Sequence, residues 1–295
     1  MRFLAIFPAL LCAVSLILAF LCLFSGHGTH SFMEDYAIVT LNTSRLGENV
    51  FNTSSSSSSN PFTAFLHNVT STIENDIEDG LNSLAKDLGI HDFYSVHILD
   101  FCEGYYTPGA VPNATLSKSA ISKNVTKCSN ATAIYNFNPH QTLQQELDNS
   151  GHSNINITAL GWPNEIDTAI RDLRVAAKAM FVLYCIGIAL VFIAFSFAAL
   201  GICFDGRLNA SVNILVDWLA FVTLGIASAI ATAIAVKASD VINDHGSEAG
   251  LHADKGTKFM ILTWVATGLM FVTSLIWCFV CVKGRKRTSS KKLSD

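Results

Sequence analysis

The sequence predicts an all-α membrane protein. A four-helix transmembrane bundle carries a large, disulfide-stabilised, mostly helical extracellular first loop with room for short strands. Three observations carry the prediction. Four nearly unbroken apolar stretches, Phe3–Phe24, Ala179–Phe204, Ile214–Val236 and Phe259–Val282, each exceed the ~18 residues that mark a membrane-crossing helix. Seven N-x-S/T sequons, at Asn42, Asn52, Asn68, Asn113, Asn124, Asn130 and Asn156, lie between the first and second stretches, where a lumenal segment would carry them. The tail Lys283–Asp295 holds six basic residues against one acid, which the positive-inside rule assigns to the cytoplasm.

Composition agrees. Of 295 residues, 51% are hydrophobic and 14% charged, well under the ~25% charged of soluble proteins. The net charge of −4 hides an asymmetry, since residues 25–175 contain 16 acids and 7 bases, a net of −9. The basic cluster abuts a membrane helix, which argues against a nucleic-acid partner. The cytoplasmic segments 205–213 and 283–295 are too short for a catalytic domain. No G-x-S-x-G, H-E-x-x-H or phosphate loop occurs. Neither enzymatic activity, a cofactor nor a metal is therefore expected.

Taken in order, residues 1–24 form the first span. Its apolar run of about 22 residues exceeds a signal peptide's usual 7–15, and no A-x-A site follows, so a retained helix is expected. Residues 25–175 form the glycosylated loop. Asn52–Asn60 (NTSSSSSSN) cannot bury apolar surface and reads as a linker. Phe62, Leu66, Val69, Ile73, Ile77, Leu81, Leu84 and Leu88 then recur at helical spacing, predicting an amphipathic helix from Pro61 to Gly89. Its acids Glu74, Asp76, Glu78 and Asp79 read as a solvated face, lacking the ligand spacing of a calcium loop. Alternation at Tyr94, Val96 and Ile98 fits a short strand, with a helix the other reading.

Cys102 and Cys128 are the only two of eight cysteines outside an apolar run. In an oxidising compartment they are expected to pair, contributing about 3–4 kcal/mol by loop closure. A metal site is disfavoured, because no His or second Cys stands at ligand spacing. Pro139–Asp148 predicts a short helix, and Trp162-Pro163 starts another that nothing breaks before the second span. His91, His97, His245 and His252 read as ordinary surface or loop histidines.

The second span covers 176–204, followed by a cytoplasmic loop at 205–213, where the sequon at Asn209 should go unused. The third span, 214–236, holds two small-residue ladders, Gly225/Ala229/Ala233 and Ala227/Ala231/Ala235. Such spacing lets helices approach closely in lipid; Gly225, Ala229 and Ala233 are the expected packing residues. Asp217 is expected to snorkel or pair with Arg207, and Trp218, Trp264 and Trp277 to sit in interfacial belts. A second extracellular loop, 237–258, leads to the fourth span, 259–282. In the tail 283–295, Lys283, Arg285, Lys286, Arg287, Lys291 and Lys292 are expected to bind anionic lipid at roughly 1 kcal/mol each. Phosphorylation of Thr288, Ser289 or Ser290 would loosen that attraction.

FYSVHILDFCEGYY, KCSNATAIYNFNP and LGWPNEIDTAIRDLRVAAKAMFVLYC, with the four-span layout, resemble the fungal tetraspan proteins of the Sur-seven/PalI family. The resemblance runs from the first span to the fourth, and Asp100–Tyr105 (DFCEGY) is its most specific part. It implies a claudin-like layout and plasma-membrane residence at eisosomes. The roles implied are membrane organisation, endocytosis, wall integrity or ambient-pH signalling. Expected partners are anionic inner-leaflet lipids, sterol-rich domains, other cortical membrane proteins and further copies of the chain. The tryptophan of the claudin G-L-W motif is missing, as is the long tail of a PalI sensor, which favours organisation over pH sensing.

Overall fold

The structure, a computed structural model, describes residues 2–27, 32–46, 88–109, 121–132, 137–151, 153–160, 162–203 and 207–292. In order the elements are α1 (Arg2–Leu23), β1 (Val39–Asn42), β2 (Phe93–Val96), β3 (Phe101–Thr107), β4 (Ser122–Cys128) and α2 (Pro139–Asn149). They continue with α3 (Asn164–Cys203), α4 (Arg207–Gly246), β5 (His252–Lys255) and α5 (Thr257–Lys292). Helices α1, α3, α4 and α5 are long and apolar enough to cross a membrane. The chain divides into two compact units, one of Met1–Phe24, Ala177–Thr232 and Thr257–Asp295, the other of Ser25–Ala176 and Ala233–Gly256.

The first unit is the helical bundle. In lipid, apolar side chains gain little by leaving their surroundings, so small residues and hydrogen bonds hold helices together. Ser15 on α1 donates to the Ala266 carbonyl on α5 at 2.9 Å. Ser228 on α4 bonds Thr263 at 2.7 Å and Thr267 at 3.0 Å, and Tyr184 on α3 reaches the same Thr263 hydroxyl. Around this cluster Ala220, Leu224, Ala227 and Ala231 are buried, while Leu10, Ile17, Leu200, Leu215, Ile226, Ile261 and Phe279 face outward.

Several expectations change here. The ladder of Gly225, Ala229 and Ala233 is not the packed one: Ala229 and Ala233 are exposed and Gly225 is half-buried. Ala227, Ala231 and Ala235 are buried instead. The two ladders have identical spacing, and Ser228, bonded to Thr263 and Thr267, lies with Leu224, Ala227 and Ala231 on the buried side of α4. Trp277 is core, packed with Ala9, Ala198 and Ala210, whereas Trp218 and Trp264 are exposed. Helix α4 extends past both ends of the expected span, taking in most of 205–213 and the first part of 237–258. The backbone of α5 stays helical to Lys292; the side chains of the six basic tail residues lie outside the description.

The second unit combines helices with the short strands for which the sequence left room. Five strands form one antiparallel sheet in the order β4-β3-β2-β1-β5. β1 lies between β2 on one side (Val39 opposite Val96) and the edge strand β5 on the other (Val39 opposite Lys255). The sheet therefore joins the segment between α1 and α3 to the segment between α4 and α5. The amphipathic helix expected over Pro61–Gly89 lies outside the described residues, except for Leu88 and Gly89, which form a turn. Helix α2 begins as predicted: Asn138 caps it, accepting from the Gln141 N–H at 3.4 Å, and Leu143 and Leu147 are fully buried.

Candidate functional site

The DFCEGY motif builds the site from β3 outward. Cys102 lies directly opposite Cys128 on β4, and the two form a disulfide, as expected. Phe93, Val125, Tyr106 and the disulfide make a small apolar core. A bulge falls between Glu103 and Gly104. A Cβ at Gly104 would collide with the Asn124 carbonyl, so glycine is what lets β4 approach the bulge. The bulge re-aims β3, and Glu103 comes to lie almost fully buried.

Two clusters of titratable side chains flank the disulfide. In one, His91 (just before β2), Glu103 (β3) and Glu146 (α2) offer ligand atoms all within 4.8 Å of one another. His91 Nδ1 is 3.1 Å from Glu146 Oε1. The Tyr94 hydroxyl donates to Glu146 Oε2 and accepts from the His91 backbone N–H at 3.2 Å. The Tyr105 ring lies 4.8 Å from the His91 imidazole, and Lys127 Nζ is 3.5 Å from Glu103 Oε1. Burial and then the neighbouring Glu146 raise the Glu103 carboxyl above its ordinary value. Burial alone would lower His91, but the hydrogen bond to Glu146 and its charge outweigh it and leave the imidazole raised.

In the other cluster His97 and Asp100 are both buried. Both His97 ring nitrogens and Asp100 Oδ1 have no hydrogen-bond partner among the described residues. Gly26, at φ +88°, seals this pocket: a Cβ there would stand 2.5 Å from Asp100 Oδ1 and from the His97 ring. Burial pushes His97 down to about 4 and Asp100 up to about 6, so each favours its neutral form. Cys102 completes this set geometrically, but its sulfur is committed to the disulfide and supplies no thiolate.

His91 and His97 are thus not surface histidines. His91 lies just before β2 and His97 immediately follows it, so both are carried at the ends of a buried strand. Glu146 was missed, although it stands three residues after Leu143 on the buried face of α2, where an acid needs a partner.

Of the sequons, Asn124, Asn130 and Asn156 are exposed and Asn42 is half-buried at the end of β1. Asn52, Asn68 and Asn113 lie outside the described residues. In the bundle Asp217 neither snorkels nor reaches solvent. It is fully buried, its Oδ1 4.0 Å from Cys12 Sγ and its Oδ2 without a partner among the described residues. Its place on the inward face of α4, one turn after buried Asn213, explains the difference.

The family described as SUR7/PalI matches residues 4–276. A relative, the SUR7 family protein pun1 of Schizosaccharomyces pombe (strain 972 / ATCC 24843), is 26% identical over 183 residues, which cover 59% of this chain and 58% of that protein. The match thus spans less than two thirds of the relative's length. No solved structure matches.

Proposed function

This chain belongs to the SUR7/PalI family, and from that premise we propose that it is a non-enzymatic organiser of cortical plasma-membrane domains. Such domains are eisosome-like patches, linked to endocytosis and cell-wall integrity. The observation that carries the reading is the β1–β5 pairing, which ties the second loop to the disulfide-bonded first loop. A tetraspan whose loops are tied together presents one fixed outer surface to its neighbours. Both termini are cytoplasmic in this reading, the first loop is glycosylated, and the basic tail draws the protein to anionic inner-leaflet lipid. Sterol-rich lipid, other cortical proteins and further copies of the chain are its partners. The test is deletion of the gene with imaging of other patch residents. Dispersal or shrinkage of the patches supports the proposal, and unchanged patches in number and composition overturn it.

A second reading, an accessory membrane sensor in ambient-pH signalling, is favoured by one observation. His97 and Asp100 are buried and titratable, and both His97 ring nitrogens and Asp100 Oδ1 lack a hydrogen-bond partner among the described residues. Signalling through this pair requires that the stability of the sheet change with external pH.

A further inference from the structure

The cluster of His91, Glu103 and Glu146 is ion-paired at its margins, His91 with Glu146 and Lys127 with Glu103. Two acids converge beneath one imidazole, Glu103 is only 5% exposed, and the nearest ammonium, Lys127, is itself largely in solvent at 3.5 Å. Paired buried carboxylates are costly unless a cation joins them. We infer that His91, Glu103 and Glu146 form a Zn2+ site that fastens α2 to β2 and β3 of the ectodomain sheet.

Three features fit this ion. One neutral imidazole and two carboxylates balance its two charges and are ordinary zinc donors. The 3.1 Å between His91 Nδ1 and Glu146 Oε1 is close to the separation of about 3.4 Å between two ligands of a tetrahedral ion at ~2.1 Å. The second sphere is also in place. Tyr94 holds the far oxygen of Glu146 and leaves the near one facing His91 Nδ1, and the Tyr105 ring lies tilted against the His91 imidazole at 4.8 Å. Calcium is a poorer match, because it prefers six to eight oxygen donors. With three protein ligands, the fourth position falls to water. The inference stands on these side chains alone and does not depend on the organising role.

The experiment uses the full chain without a polyhistidine tag, purified into nanodiscs, stripped with chelator and titrated with ZnCl2. One equivalent per chain should bind, with a rise in Tm that saturates at that equivalent. His91→Asn and Glu146→Gln should each weaken binding at least tenfold, and Tyr94→Phe should weaken it less. Retention of the Cys102–Cys128 disulfide and an unchanged melt in chelator establish that a variant is folded. Two readouts need no variant. Co2+ in the wild-type protein should show the visible bands of a four-coordinate ion without thiolate charge transfer. Zn2+ should also protect His91 from diethyl pyrocarbonate, mapped by mass spectrometry. Absence of stoichiometric binding, equal binding by the folded variants, a thiolate signature or an unprotected His91 would each overturn the inference.

Discussion

Replacing Asp100 with Asn separates two pH dependences that oppose each other in the wild-type sheet. His97 is 2% exposed and its folded value falls from 6.5 to about 4, because burial disfavours the imidazolium and the Lys123 charge adds to the effect. Its stabilising contribution is complete above pH 6.5 and is lost as pH falls towards 4. At 1.36 kcal/mol per unit this amounts to about 3 kcal/mol. Asp100 is 1% exposed and rises from 3.8 to about 6, burial outweighing the lowering effect of His27. Its contribution has the reverse sign: complete below pH 3.8, it is lost as pH rises through 6, again by about 3 kcal/mol.

Between pH 4 and 6 the two slopes cancel, and the wild-type sheet should melt at a nearly constant temperature. Asp100→Asn leaves only the His97 dependence, so Tm should fall by roughly 5–10 °C from pH 6.5 to 4. His97→Gln leaves only Asp100, so Tm should rise over the same interval. The assay is thermal unfolding of the full chain in nanodiscs, followed by protease accessibility of the ectodomain. Profiles for both variants parallel to the wild type would refute the reasoning. A wild-type sheet that itself destabilises steeply on acidification or alkalisation would favour the sensing role instead.

Other outcomes follow from the same structure. Ala231→Leu on the buried face of α4 should cost about 1–3 kcal/mol by overpacking, whereas Ala229→Leu and Ala233→Leu on the exposed face should leave yield and melting unchanged in size-exclusion and thermal assays. Opening the Cys102–Cys128 disulfide by double Ala substitution removes a closure of 26 residues and should lower ectodomain stability by about 3–4 kcal/mol, read as protease sensitivity at 37 °C. Glycopeptide mapping should find glycan on exposed Asn124, Asn130 and Asn156 but not on Asn42. Asn42 is half-buried at the end of β1, and Thr43 and Ser44 of its sequon are buried.

What the sequence made legible is what local pattern encodes. The four apolar runs, the two cysteines and the Asn138–Pro139 helix start each carry their own signal, and each stands in the structure. The sheet was harder to read for particular reasons. β1 and β5 are four residues each, and His252–Lys255 (HADK) has no apolar alternation; it becomes a strand because β1 offers it hydrogen-bonding groups. β4 is polar and exposed except at Val125, held by ladder bonds and the disulfide instead of a buried face. Of two equal alanine ladders, the buried one shares its side of α4 with Ser228, which meets Thr263 across 35 residues. The His91–Glu103–Glu146 cluster needs three elements brought together from distant positions, which no spacing rule reveals.

The central claim is that this chain is a fixed component of a membrane domain. Single-particle tracking of the fluorescently tagged full chain in living fungal cells tests it most directly, with a single-span protein as the freely diffusing control. The account predicts confined, nearly immobile tracks at cortical patches, and a shift to free diffusion in the Cys102→Ala/Cys128→Ala variant, which still reaches the membrane. Free diffusion of the wild-type chain, indistinguishable from the control, would contradict it.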